Sequence, residues 1–303
     1  MSRFAGNLTA GALAGAVYVA GSLSVLAQGI SLPNFAPHSS VGWYAYSRAF
    51  IAPATGPGPV QQDPAHPYVS NDEFRVTGRQ PTARVADLDN PILQPWAREV
   101  VRKRNELVLA GKQVVSPSAS CWPKGVTQFL LSPMTQPMYF IQTPKQVVMI
   151  LTSFNDVRRI HLTDKHSANV KTSWYGESIG HYEGDILVVD TIGLDDRTWV
   201  DGFGTPHTKQ MHIVERWRLI DGGENLEVNV RVEDPGAFTA PWNASQRYRQ
   251  YEAAVRQMPV ERVAQLASGE EGPLRELSCA DNPNSFFPGT IALPLPQAKV
   301  PDF

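Results

Sequence analysis

Several things are scarce in this chain, and each scarcity closes off a class of function. Only 18% of its 303 residues are charged, the formal net charge is -2, and no run of lysine or arginine forms a basic stripe. An electrostatic footprint for nucleic acid is therefore missing. Cysteine occurs twice, as Cys121 and Cys279, too far apart in sequence for a zinc or CxxC redox motif. HExxH, GxSxG, P-loop and GxGxxG patterns are absent, as is the PCxxC partner that a deaminase zinc would need beside His181 and Glu183. The DDRTWVDG run lacks the spacing of a calcium loop. Nothing in the spacing of residues points to a metal or names a cofactor.

What is present begins with an uncharged N-terminal stretch. Arg3 is followed by LTAGALAGAVYVAGSLSVLA at residues 8–27, an apolar core ending in small residues before Gln28. That pattern predicts export, so the body of the protein is expected in the periplasm or otherwise outside the cytoplasm. Two forms stay open: a signal peptide cut after Ala27, or a retained membrane anchor in which Gly11 and Gly15 offer a small-residue packing face. In an oxidising compartment the two cysteines can close a disulfide, or they remain buried thiols.

Twenty-five prolines, many of them between Pro33 and Pro81, predict an extended arm over residues 28–90 that lies on the surface or reaches a protein partner. The aromatic group Trp43, Tyr44 and Tyr46 in that arm either anchors at a membrane interface or packs on the domain. Asn90 as N-cap and Pro91 in the first turn predict a helix over about 91–110, ending at Gly111.

From about Val126 the hydrophobic period becomes two. TQFLL, MYFIQT, QVVMILTSF and VRRIHLTD read as strands, with a tight turn at Asn155-Asp156. Ser173–Tyr182 and Asp185–Ile192 form a hairpin around Glu183-Gly184, His212–Leu219 pairs with Asn225–Glu233, and a further strand covers Ser245–Tyr251. Residues 258–272 read as an insertion carrying a short helix, before a last strand at PLRELSC. The expected fold is mainly β: an antiparallel meander making a strongly curved sheet or lipocalin-like barrel, with one N-terminal helix packed on it, in a single domain over 91–303.

The segment from Ser173 to Trp217 concentrates the polar chemistry. With a turn at Glu183-Gly184, His181 faces Ile186 and Glu177 faces Asp190, two opposed carboxylates that need compensation from Arg158, Arg159 or a cation. Either this face is functional, or it is solvated and the face with Trp174, Leu187 and Val189 is core. Glu215 shares its face with Ile213, Trp217 and Leu219, and an inward carboxylate needs a partner. In the long connection GLDDRTWVDGFGTPHT, Trp199 can supply an apolar wall, and His207 can transfer protons with Asp201 orienting it. Alternatively, Asp201 makes an Asx turn and Pro206-His207 ends the loop. The candidate acid–base residues are thus His207, Asp201, Glu215, Asp190, Glu177 and His181, with Trp199, Tyr175, Trp217 and Arg159 as candidate ligand contacts.

At these positions the chain resembles a family of uncharacterised bacterial exported proteins with a W-x-G-x-S-x-G-x-[WY]-E-G-D-x-L-V-V-[DE]-T signature, followed by T-[WF]-x-D, P-H, E-R-[FW], D-P and P-W. The matching residues run from Trp174 through Tyr182, Glu183, Gly184, Asp185 and Thr191 to Trp199, Asp201, His207, Glu215, Asp234 and Trp242. The resemblance implies export, a β-rich fold, and shared polar positions at Asp185, Asp201, His207 and Glu215. It implies no mechanism. Two functional classes remain: a barrel that binds a small apolar ligand, with general acid–base chemistry of lyase, isomerase or hydrolase type, and a noncatalytic accessory subunit held to a membrane complex.

Overall fold

The computed structural model describes residues 32–36, 42–80, 82–112, 114, 116–117, 122–131, 137–152, 156–250, 253 and 256. The N-terminal segment 8–27, both cysteines, the proposed insertion 258–272 and the strand after it lie outside these residues. Among the described residues, no helix is long and apolar enough to cross a membrane.

Nine strands close into a barrel in sequence order: β1 (Trp43–Ala45), β2 (Met138–Gln142), β3 (Gln146–Leu151), β4 (Asp156–Leu162), β5 (Glu177–Glu183), β6 (Ile186–Ile192), β7 (His212–Ile220), β8 (Asn225–Glu233) and β9 (Trp242–Gln250). Period-two alternation divides inside from outside. Asp156, Arg158 and Ile160 of β4 are buried while Val157, Arg159 and His161 face out, and on β7 the inward set is Ile213, Glu215 and Trp217. All neighbouring pairs are antiparallel except β4 and β5, which run parallel (Ile160 opposite Ser178). The expected pure meander is corrected at that point. A parallel pair needs a crossover, and residues 163–176 supply it.

Strand directions sort the connections. The segments joining β1 to β2, β3 to β4, β6 to β7 and β8 to β9 all lie at the end of the barrel where β5 begins. The opposite end has the short turns, β5–β6 and β7–β8 among them. The long-loop end carries α1 (Asn71–Thr77), α2 (Pro95–Leu109) and α3 (Val126–Leu131).

Several local expectations shift. Trp43–Ala45, read as part of the arm, is the strand that joins β2 to β9; Trp43 is wholly buried and its indole N–H donates to the Phe35 carbonyl at 2.7 Å. Phe50, Val60, Val69, Val85 and Ala86 are also buried, so much of 42–90 folds onto its own barrel. Helix α2 starts at Pro95 with Gln94 as cap, because Asn90 instead accepts from the Ile92 N–H and holds a turn. Ala97, Val101 and Asn105 form its buried stripe, and the Asn105 amide pairs with both backbone groups of Ala86. TQFLL is helical, not extended: short apolar runs fit a buried helix as well as a buried strand. Here α3 buries Phe129, Leu130 and Leu131, and the inward-facing Tyr248 of β9 donates to the Leu130 carbonyl at 2.9 Å.

The β5–β6 turn is Gly184-Asp185, one residue later than expected, because Gly184 (φ +63°) supplies the left-handed first corner of a two-residue hairpin turn. Each cross-strand partner moves by two, so the residues sharing a face are unchanged. Ile179, not Glu177, faces Asp190. Asp156 is likewise a strand residue, paired with Leu151, rather than a turn residue.

Candidate functional site

Three polar arrangements sit in or on the barrel wall. The first is sealed inside. Arg158 and Glu215 are both wholly buried and make a bidentate pair, Nη2 to Oε1 at 2.6 Å and Nη1 to Oε2 at 2.9 Å. Ser178 and Thr191 accept from Arg158 at 3.1 and 2.9 Å, and the Trp217 indole donates to Glu215 at 2.9 Å. Trp217 stacks on Tyr248. Every partner is a protein group, as expected of an ion pair out of water. Arg158 therefore compensates Glu215 rather than the Glu177 and Asp190 carboxylates.

The second arrangement lies on the outer face of β5, β6 and β7, fastened by the crossover. His166, which sequence reasoning passed over, places one ring nitrogen 3.0 Å from Glu177 and the other 2.9 Å from Asp190; His212 reaches the second Asp190 oxygen at 3.0 Å. The Ser167 N–H also donates to Glu177 at 2.7 Å. Contacts from Ser167 and then His166 hold the Glu177 carboxyl below its usual range. Burial opposes charge on Asp190, but its bonds with His212 and His166 outweigh that and lower its pKa, while Asp190 raises that of His212. The partners of both carboxylates are thus histidines. His181 is exposed and lies 3.2 Å from Glu183. Among the described residues no group of three or more histidine, cysteine or carboxylate side chains is arranged to hold a metal ion.

A cleft of about 520 Å³ adjoins this face, lined on one side by Val157, Arg159 and His161 of β4 and on the other by crossover residues such as Asn169, Lys171 and Tyr175. Tyr175 and Arg159 thus share this cleft, whereas Trp217 is enclosed in the barrel and Trp199 lies in the β6–β7 connection.

The third arrangement is at the long-loop end. Asp156, 6% exposed at the start of β4, neighbours the Tyr175 hydroxyl and the Lys124 ammonium. Burial pushes the Asp156 carboxyl up to about 6, against the opposing pull of Tyr175 and Lys124. Burial also brings Lys124 down to about 8, and it raises the Tyr175 phenol, with the Asp156 charge adding to the rise. Asp156 Oδ2 and the Tyr175 hydroxyl are each sealed from solvent without a hydrogen bond of normal geometry. Tyr175 is held edge-on by Phe129 of α3, with ring centroids 5.8 Å apart. Asp156 was legible as an inward position by counting back in twos from Ile160 through Arg158. Lys124, after Trp122-Pro123, carried no such signal.

The β6–β7 connection is built differently from the expected dyad. Asp201 accepts from the Phe203 and Thr205 N–H groups at 2.9 and 3.2 Å and from the Thr205 hydroxyl at 2.7 Å, so both its oxygens are engaged within its own loop and neither orients His207. That is the Asx-turn alternative. His207 is 3% exposed, lies 2.7 Å from the Thr198 hydroxyl through Nε2, and donates through Nδ1 to the Thr208 carbonyl at 3.0 Å. Burial lowers its pKa, which keeps the ring neutral. Asp234 closes the loop by accepting from both the N–H and hydroxyl of Thr208 at 2.6 Å. The six candidate acid–base residues therefore fall into separate environments: Glu215 inside, Asp190, Glu177 and His181 outside, Asp201 and His207 in the connection.

What these features define is a closed β-barrel, mixed in strand direction, with the buried Asp156, Lys124 and Tyr175 groups at its long-loop end. No protein-family model matches the chain, and neither the curated proteins nor the solved structures contain a significant match.

Proposed function

We propose that this protein is an exported small-molecule-binding barrel whose reactive end is Lys124, Asp156 and Tyr175, working by general acid–base chemistry. The observation that carries the reading is the pair of buried oxygens, Asp156 Oδ2 and the Tyr175 hydroxyl, which lie against each other beside an ammonium without a well-formed hydrogen bond. Buried polar atoms so poorly satisfied are rare, and a bound ligand is one of the few things that complete them. A carboxyl poised near 6 accepts a proton at neutral pH, a buried phenol keeps its own, and an ammonium with a pKa near 8 stabilises charge that develops on a reacting oxygen. Asp156 is the base in this reading, Tyr175 the acid or hydrogen-bond donor, and Lys124 the electrostatic partner. Phe129 of α3 supplies an apolar flank, in keeping with a largely apolar ligand.

His207, Asp201, Glu215, Glu177 and Asp190 act in this account as positioning and structural groups. Export rests on residues 8–27 and on the family resemblance. The accessory-subunit reading would place its contacts in the N-terminal segment, since residues 42–90 are largely spent on the barrel itself.

The test is native mass spectrometry of protein isolated from the bacterial envelope, comparing wild type with Asp156→Asn and Tyr175→Phe. A small molecule retained by wild type and lost or weakened in both variants, with circular dichroism unchanged, is the expected result. Equal retention in all three overturns the assignment of this site.

A further inference from the structure

A second arrangement, independent of the acid–base reading, occupies the tip of the β6–β7 connection. The side chain of Arg84 presses on Gly202 and that of Arg104, from α2, on Gly204; a Cβ at either glycine would lie 2.8 Å from the arginine Cδ. Gly204 also has φ +76°, so both space and backbone reserve the position for glycine. The Arg84 guanidinium lies 4.2 Å from the Tyr68 ring centre, and that of Arg104 lies 4.5 Å from the Trp199 ring centre. Both are largely withdrawn from water, which lowers their pKa. Asp201 is the carboxylate that acts on both, and it spends its oxygens on Thr205 and Phe203. Two guanidinium groups thus face one carboxylate, and Arg48 adds a further positive charge beside Arg84. Arg104 Nη1 is sealed from solvent with no hydrogen-bond acceptor.

We propose that Arg84 and Arg104 form a receptor for a small oxyanion, a carboxylate or phosphate group, seated against the Val200–Thr205 loop tip. A guanidinium held over an aromatic ring still has N–H groups to offer a planar or tetrahedral acceptor, and its fork of donors suits bidentate anion recognition. The anion balances the surplus positive charge, and a shift of the Arg104 side chain on binding gives Nη1 the acceptor it lacks. Trp199 then serves as the platform for one arginine, and the two glycines let both side chains approach the loop backbone.

The experiment is isothermal titration of the full chain with sodium phosphate and, separately, sodium citrate, at an ionic strength held constant with sodium chloride. Saturable one-to-one binding of at least one anion is expected, weakened about tenfold or more by Arg104→Gln and by Arg84→Gln, and unaffected by Arg102→Gln. Arg102 is the control because it lies exposed on the same helix, paired with Glu99 and Glu106. The two anions separate a phosphate from a carboxylate preference. If a glutamine variant fails to fold, Arg104→Lys keeps the charge but loses the fork and should bind more weakly. The wild-type melting temperature should also rise with the bound anion over matched chloride. No saturable binding and no anion-specific stabilisation, or binding that survives both arginine substitutions, overturns the proposal.

Discussion

Asp156 and Lys124 carry opposite linkage to pH. Asp156 holds its proton more tightly in the fold, with a pKa near 6 against 3.8, so stability should fall as pH rises from about 4 to 6, by no more than about 3 kcal/mol. Lys124 releases its proton more readily in the fold, near 8 against 10.5, so its contribution should rise across that interval. Urea unfolding at a series of pH values checks both. Asp156→Asn should lose the acid-side decline and Lys124→Met the alkaline gain, and curves identical to wild type would remove these residues from a buried cluster. Glu215 poses a different question. Replacing it with Gln leaves Arg158 buried without its counter-charge and should cost about 3–5 kcal/mol, while the double change Arg158→Met with Glu215→Leu should recover most of that. A loss under about 1 kcal/mol for Glu215→Gln would contradict the enclosed pair.

Among the elements, the 163–176 crossover is the one whose side-chain fastening is worth testing. His166 ties it to Glu177 and Asp190, which keeps one wall of the cleft in place. His166→Ala should speed amide hydrogen exchange across 163–176 and cost about 1 kcal/mol, with little change in β7 or β8; unchanged exchange would show that the crossover is held by other contacts. The neighbouring His212–Asp190 bond follows from their shifts. His212, with its raised pKa, contributes stability that is complete at low pH and lost as pH rises through that pKa; Asp190, with its lowered pKa, contributes stability lost as pH falls through its own. The bond is strongest between the two. The hairpins from β5 onward were readable from alternation and turn residues, as were the faces of Glu177, Asp190 and Glu215. His166 was not. Its role depends on a parallel strand pair, and no local pattern distinguishes a crossover from a long hairpin loop. The Asp156 cluster escaped for a related reason: its three members come from the α3 approach, the β4 start and the crossover, and only closure of the barrel brings them together.

At the scale of the whole molecule, the barrel is closed by three residues. Trp43–Ala45 joins β2 to β9, and Phe35, also wholly buried, packs beside Phe140 with ring centres 5.2 Å apart. A chain beginning at Leu32 should therefore keep the cooperative unfolding of the full protein, while one beginning at Arg48 should expose the β2 and β9 edges and aggregate. Comparable melting of the two by circular dichroism would show that β1 is dispensable. The proline-rich composition of 28–90 suggested an arm because proline excludes regular structure over most of that length, and three strand residues among so many irregular ones leave no periodic trace. The barrel as a class was legible; the gathering of long connections at one end, and with it the location of the Asp156 cluster, required the strand directions.

We take Asp156 to be a buried base at that end. Carbon-13 NMR of the aspartate carboxyls across a pH titration, with Asp156→Asn to assign the signal, measures it directly. A midpoint near 6 that moves toward the ordinary carboxylate value when Asp156 is opened to water by Tyr175→Ala is the expected result. A midpoint near 4 in the wild-type protein would contradict the account.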